Sequence, residues 1–344
     1  MMNRKNVQSM VYKKNNVLAV SIGVLAGVCL LGNVWTGCRS TARVWTSEQH
    51  DSILREMVKV NPKHALAWVD SLEAEKEESH VRLAFYRAQA YNKMGQKKTA
   101  EEWCEKALEG DELLHECRVN FYATADMKFS ILTYNDEFER ALEAAQMGFE
   151  ATRTDMTPEG RQWTAVLLHE VGYGQMQLGQ IEQAENSFSQ AYIALKQIAS
   201  ANPTIDNLST FARVSYNILD AYTSTGQLDK ASAWVASTED AVNQFVASPE
   251  CTEETRVDYL GGLAMQKALI LVQTGHREEA DSIYDDVLTS DYADTALGIA
   301  ERSTYLEKAE RYDDIAEMMP QIDSVATVWG TPSAFAHLEK YRKD

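Results

Sequence analysis

A short phrase occurs four times in this chain: GQKKTA at Gly95–Ala100, GQIEQA at Gly179–Ala184, GQLDKA at Gly226–Ala231 and GHREEA at Gly275–Ala280. Each copy follows one amphipathic segment and opens another. Self-similarity of this kind marks a stack of supersecondary units, because a single unit cannot bury its apolar face alone. The glycine stands where a helix must stop, since it takes the left-handed conformation without a Cβ clash. The alanine, five residues on in every copy, lies early in a second helix, where a small side chain lets two helices close on each other. The chain is therefore constrained to an array of helical hairpins.

Three further turns fit with the glycine replaced: Val60–Ala65, Asp136–Ala141 and Arg311–Ala316. The alanines then run Ala65, Ala100, Ala141, Ala184, Ala231, Ala280 and Ala316. Their spacing widens through the middle of the chain, so longer helices or loops are expected there. Pro62, Pro158, Pro203, Pro249 and Pro332 fall between predicted helices, whereas Pro320 predicts a kink or a break in the helix after Arg311.

This pattern resembles the tetratricopeptide repeat, whose period is about 34 residues. In the best copy Leu168, Val171, Gly172, Gly179, Ala184, Phe188 and Ala191 fall on the family's signature positions. A second copy carries Ala88, Tyr91, Gly95, Ala100 and Ala107, with Cys104 in place of a large aromatic, and the Asp136 and Arg311 copies are degenerate. The resemblance covers residues 47–330. It implies an all-α fold, a right-handed superhelix of about seven helical hairpins in which each hairpin contacts its neighbours. It also implies a protein- or peptide-binding scaffold.

The N-terminus is a separate device. Arg4, Lys5, Lys13 and Lys14 precede an apolar run from Val17 to Trp35. That length is near what a bilayer crossing needs, so residues 1–37 read as a signal peptide or a signal anchor. The basic flank would leave the repeats outside the inner membrane, facing the periplasm or exterior. Thr36-Gly37-Cys38 resembles a bacterial lipoprotein cleavage site, with Cys38 the lipidated residue and Trp35 a departure from the usual small aliphatic. An uncleaved anchor and a buried helix stay open beside that reading. Residues 38–46 are then a short linker, 47–330 the repeat domain, and 331–344 a terminal capping helix or the start of a further repeat. The formal net charge is −18, and the first 37 residues hold four bases and no acid, so the repeats are more acidic still. Such a body is a poor match for nucleic acid or anionic lipid heads.

Cys104 and Cys117 lie on successive predicted helices, so a bridge between them is conceivable, although small apolar core residues is the plainer reading for Cys104, Cys117 and Cys251. Phosphate-loop, dinucleotide and nucleophile-elbow motifs are missing. His169-Glu170 lacks the second histidine that a zinc helix needs, and the carboxylates pair nowhere as an acid and base couple. The sequence thus predicts a non-catalytic protein without cofactor or metal.

In this family the first helix of each hairpin lines the binding face. Carrying its inward positions over gives Arg82, Tyr86, Gln89, Asn92 and Lys93, then Asp126 and Tyr134, then His169, Glu170, Tyr173 and Gln177. Arg213, Tyr216, Asn217 and Asp220 follow, then Gln266 and Gln273, then Arg302 and Tyr305. Tyrosine, arginine and amide side chains suit an extended peptide or a partner helix. Trp68, Trp103 and Trp234 fall on second helices and are expected to pack between hairpins. The layout is similar to envelope repeat proteins, including the extracytoplasmic halves of sensor histidine kinases and transcription regulators. A tethered binding scaffold is the leading expectation, and the sensory part of such a signalling system is the alternative.

Overall fold

The computed structural model describes residues 46–109, 112–329 and 332–343. The apolar N-terminal run and Cys38 lie outside the described residues. Among the described residues no helix is long and apolar enough to cross a membrane. The chain divides into two compact units, Met1–Ser79 and His80–Asp344.

In the first unit α1 (Ser47–Val60) and α2 (Pro62–Glu75) form a hairpin. Thr46 and Gln49 start α1 with a reciprocal capping box. Asn61 ends α1 and caps α2 through a bond from the His64 N–H at 3.2 Å, and Pro62 fills the first helical position. The expected turn at Val60 is absent: Val60 belongs to α1, and Asn61 reverses the chain with a φ of −148°. A residue before proline is driven out of the helical region, so this turn needs no left-handed residue.

The second unit holds six hairpins. They are α3 (His80–Lys93) with α4 (Lys97–Leu108), α6 (Arg118–Tyr134) with α7 (Phe138–Thr152), and α8 (Pro158–Gln177) with α9 (Ile181–Ala201). Then come α10 (Ile205–Ser224) with α11 (Leu228–Val246), α12 (Glu253–Gln273) with α13 (Arg277–Leu288), and α14 (Ala296–Lys308) with α15 (Tyr312–Trp329). A short α5 (Glu112–Glu116) precedes α6, and 3-10 helices cover Asp291–Asp294 and Pro332–Tyr341. Consecutive first helices pack in a layer, α3 on α6, then α8, α10, α12 and α14. Second helices α4, α7, α9 and α11 each also pack on the first helix that follows. After α13 the Asp291–Asp294 turn intervenes and packs on α12, α13 and α14.

The turns explain the repeated phrase. Gly95, Gly179, Gly226 and Gly275 have φ between 71° and 86°, and a Cβ at any of them would meet nothing within 4 Å. The backbone conformation alone demands glycine there. Behind each glycine the next N–H returns to a carbonyl five residues back: Gln96 to Tyr91, Gln180 to Gln175, Gln227 to Tyr222 and His276 to Leu271, at 2.8–2.9 Å. This closes the first helix in a Schellman turn. Asp136, with φ 59°, does the same through Glu137 and Leu132.

The last turn departs by one residue from the sequence alignment. Glu310, not Arg311, is left-handed, and Arg311 N–H bonds to Leu306 O at 2.8 Å. The small buried position of α15 therefore falls on Ile315, fully buried, while Ala316 is only half-buried. Ala65, Ala100, Ala141, Ala184, Ala231 and Ala280 are fully buried, as the spacing predicts.

The wide middle spacing comes from helix length. Helices α8 to α12 run 19–21 residues, against 14 and 12 in α3 and α4. Thr157, Thr204 and Thr252 cap three of the long first helices, each accepting from the N–H three residues on. Pro320 does not break α15, which runs through it as one helix. Pro320 is exposed, so water can satisfy the carbonyl its missing N–H leaves free.

Cys104, Cys117 and Cys251 are free thiols, so the conceivable Cys104–Cys117 bridge is not made. Burial pushes the Cys104 thiol up to about 12, which keeps it protonated. Trp68, Trp103 and Trp234 lie on second helices and are half-buried. Trp234 packs on Tyr192 and Tyr222, and its Nε1 donates to Ser215 O at 3.3 Å. The segment 332–341 is a 3-10 helix, not an α-helix. Its Leu338 is buried in the cluster that includes Ile315 and Met319, with Phe335 and Tyr341 alongside.

Candidate functional site: two polar seams on the first helices

Nine residues before the left-handed residue of each hairpin in the second unit stand Tyr86, Met127, Glu170, Asn217, Gln266 and Glu301. They occupy one register position on α3, α6, α8, α10, α12 and α14. Around this row the polar side chains gather into two seams.

The first seam joins α6, α8 and α10. Glu170 and His169 are each 2 % exposed. Burial holds the Glu170 carboxyl well above its ordinary range; the neighbouring Asp126 adds to this and the Arg213 guanidinium opposes it. Burial and the Arg213 charge push His169 down to about 3, so its imidazole is neutral at neutral pH. Tyr173 crosses edge-on to Phe129 with ring centres 6.1 Å apart, and burial raises its hydroxyl pKa.

The second seam joins α10, α12 and α14. Glu301 accepts hydrogen bonds from the Tyr216 hydroxyl on Oε1 and from the Tyr292 hydroxyl on Oε2, the latter at 2.6 Å. Gln266 Nε2 donates to Asp220 Oδ1 at 3.0 Å, and the Gln266 side chain favours the ionised form of Glu301 nearby. Burial lifts Glu301 to about 7 against the hydrogen bonds that favour its ionised form. Burial also raises Asp220.

Two adjacent glycines make room for this seam. A Cβ on Gly261 would lie 2.2 Å from the Tyr292 ring, and one on Gly262 would lie 2.9 Å from the Tyr216 hydroxyl. Two glycines inside a helix cost about 1 kcal/mol each relative to alanine. Here they let two tyrosines cross α12 and converge on Glu301.

Of the sequence-predicted residues, the structure brings Asp126, His169, Glu170 and Arg213 together in one seam, with Tyr173 on the same face of α8. It brings Tyr216, Asp220 and Gln266 together in the other. Asn217 lies in the same row and is half-buried. Gln177 and Gln273 are half-buried near the ends of α8 and α12, where Gln273 donates back to Leu269 O at 3.1 Å. On α3, Arg82 and Tyr86 are buried, Gln89 is half-buried and Lys93 is exposed. Asn92 accepts from Lys97 Nζ at 2.7 Å, and that ammonium sits over the exposed Tyr134 ring.

Arg302 and Tyr305 leave the row. Arg302 donates to Ala293 O at 2.9 Å, while Tyr305 stacks on Tyr284 and donates to Asp281 Oδ1 at 2.8 Å. Arg302 and Tyr305 stand nine and six residues before Arg311, the turn position that the sequence pattern gives. Counting from Glu310 gives Glu301, which sequence reasoning missed. The Gly261-Gly262 pair was the signal for the tyrosines beside it. Glu170 is buried, and Asp220 and Glu301 are half-buried.

Chemically the row offers tyrosine hydroxyls, amides and carboxyls that can hold a polar chain by hydrogen bonds and charge. Among the described residues no group of three or more His, Cys, Asp or Glu could hold a metal ion.

Residues 82–112, covering α3, its turn and α4, match the family described as tetratricopeptide repeat. The repeats are tetratricopeptide-like. Solved structures of similar fold support the wider assignment. A Rap protein complexed with competence and sporulation factor has a TM-score of 0.54 at 15 % identity over 82 % of this chain and 75 % of that one. Aspartyl phosphate phosphatase F from Bacillus subtilis gives 0.53 at 16 % identity, over 83 % and 71 %. The apo form of RapI gives 0.52 at 12 % identity, over 85 % and 93 %. At these identities the likeness establishes the fold: an all-helical solenoid of tetratricopeptide-like hairpins. No curated protein sequence matches the chain significantly.

Proposed function

We propose that this chain is a non-catalytic binding scaffold whose first-helix face holds an extended peptide segment of a partner protein, tethered to the bacterial envelope by its N-terminal segment. The observation that carries the binding reading is the shared register. Glu170, Asn217, Gln266 and Glu301 stand at one position on four successive first helices, with Tyr173, Arg213, Tyr216 and Asp220 around them. Successive helices that present polar groups in step match a ligand that is itself extended, because its backbone and side chains repeat along the same direction. The half-buried tyrosines add apolar area at small entropic cost. A Rap protein of similar fold is complexed with competence and sporulation factor, which supports a binding role for this face.

The tether rests on the basic flank, the apolar run and the Thr-Gly-Cys38 site. A face held on the extracytoplasmic side would serve envelope assembly or signal reception.

The test is selection of a random dodecapeptide display library against the full chain, followed by affinity measurement on a Tyr173→Ala, Tyr216→Ala and Asn217→Ala variant of equal helicity. Enriched peptides should bind the variant at least about tenfold more weakly, the effect of losing one or two well-packed anchors. Peptides that bind both forms equally would move the site off the first helices and overturn the reading.

A further inference from the structure

The second seam has more acceptors than donors. Asp220 and Glu301 supply four carboxyl oxygens, and Gln266 Oε1 is buried without a hydrogen-bond partner, in a residue only 2 % exposed. The donors in the seam are already committed. Tyr216 and Tyr292 both donate to Glu301, and the Gln266 amide donates to Asp220. The Asp220 contact sets the orientation of the amide, because turning it would put its oxygen against that carboxyl.

Charge points the same way. In the first seam Arg213 acts on the carboxyl of Glu170. The groups that act most strongly on Asp220 and Glu301 include no lysine or arginine. Carboxyls drawn out of water with no counter-charge, beside an orphaned amide oxygen, form a site short of both donors and positive charge. A metal ion would also take oxygen lone pairs, but among the described residues no group of three or more His, Cys, Asp or Glu could hold one. An ammonium or guanidinium answers both shortages at once: an ammonium brings three donors and a guanidinium five, with no acceptor.

We infer that Asp220, Gln266 and Glu301 form a receptor for an organic cation, supplied by a lysine or arginine side chain, or a free amino terminus, of the peptide bound along the first-helix face. This inference rests on the peptide-binding reading and gives it a chemical anchor. Tyr216 and Tyr292 position the Glu301 carboxyl by holding one oxygen each. Gly261 and Gly262 admit the two rings that do so. Aromatic walls beside a carboxyl pair favour a cation with an alkyl stem over a hydrated ion.

The experiment uses the full chain and small probes, so it does not depend on knowing the peptide. The side-chain amide resonance of Gln266, assigned by its loss in Gln266→Met, is followed by NMR during titration with n-butylammonium, n-butylguanidinium and n-butanol. At least one cation should shift it saturably, with n-butanol at least about tenfold weaker. The isosteric double variant Asp220→Asn and Glu301→Gln, shown to be equally helical, should weaken the cation at least tenfold. Equal response to n-butanol, no saturable response, or an unaffected double variant would overturn the receptor.

A peptide panel separates this from the wider reading. It holds neutral acetylated peptides, acetylated peptides with one lysine or arginine, and uncharged peptides with a free amino terminus. A tenfold preference for the second or third set identifies the source of the cation and supports the receptor. Tight binding without any preference would sink the receptor and leave the peptide face standing. A cation response without binding of any peptide would sink the peptide face and keep the receptor.

Discussion

The two polar seams occupy equivalent positions on their helices and solve the same electrostatic problem differently. Glu170 and Glu301 each stand nine residues before a left-handed turn, and burial raises the pKa of both. Around Glu170 the chain supplies its own cation in Arg213, and His169 beside it stays neutral. Around Glu301 it supplies two tyrosine hydroxyls and an amide, and none of the groups that act most strongly on Glu301 is a cation. The first arrangement sets a cation of its own against its carboxyl, although His169 and Glu170 Oε2 keep buried polar atoms without hydrogen-bond partners. The second keeps an unmet demand for positive charge, which makes it the better place for a ligand to bind. Equivalent positions in a repeat thus need not share a task.

The largest test removes the space on which the second seam depends. Gly261→Ala should destabilise the chain by about 3 kcal/mol, because the new methyl would overlap the Tyr292 ring. Urea unfolding would measure it, and a loss under 1 kcal/mol would show that Tyr292 does not need that gap. A smaller test uses pH. The Glu301 carboxyl lies at about 7 in the fold, against an ordinary value near 4.5. The unfolded chain therefore loses this proton first, and stability falls as pH rises from about 4.5 through 7. Glu301→Gln should match the wild type at pH 4.5 and exceed it by about 2 kcal/mol at pH 8, allowing for partial screening of a half-buried group. Melting curves of the two forms that stay parallel across that range would show that burial does not raise the Glu301 carboxyl. The smallest effect is expected at the last turn, where Glu310→Gly should stabilise by about 0.5–1 kcal/mol by relieving a left-handed glutamate. It should leave both seams unchanged, separating turn chemistry from seam chemistry.

The hairpins were legible because their signals are local. A glycine that must be left-handed and an alanine that must be small can be read from five residues, and the four intact copies place α3, α8, α10 and α12 with their partners. Where glycine is replaced the signal thins. At Asp136 the turn forms where expected, but at Glu310 glutamate takes the left-handed role and the register slips by one. That slip moved the inward position from Glu301 to Arg302 and hid half of the second seam. Burial was the other obstacle. Nothing local separates Glu301 or Asp220 from the many solvated carboxylates of an acidic chain, because what encloses them comes from three helices and a 3-10 turn. Tyr292 lies in that turn, outside the repeat, so no periodicity could point to it. Gly261-Gly262 was the readable trace, since adjacent glycines in the middle of a helix ask for something passing close by.

The hydrogen bond from Tyr216 to Glu301 joins residues 85 apart in sequence, and it reaches from α10 to α14 across the hairpin between them. An array whose members touch only adjacent ones behaves like a zipper: a terminal member can open while the rest stay shut. A tie that skips a member turns three of them into a closed loop, and opening any one strains the other two. Hydrogen exchange through α10, α12 and α14 should therefore proceed as one event, while α3 and α6, which the Tyr216–Glu301 bond does not span, exchange separately. A ligand that grips Asp220 and Glu301 would tighten the same loop, and so would be felt as rigidity by helices it does not touch.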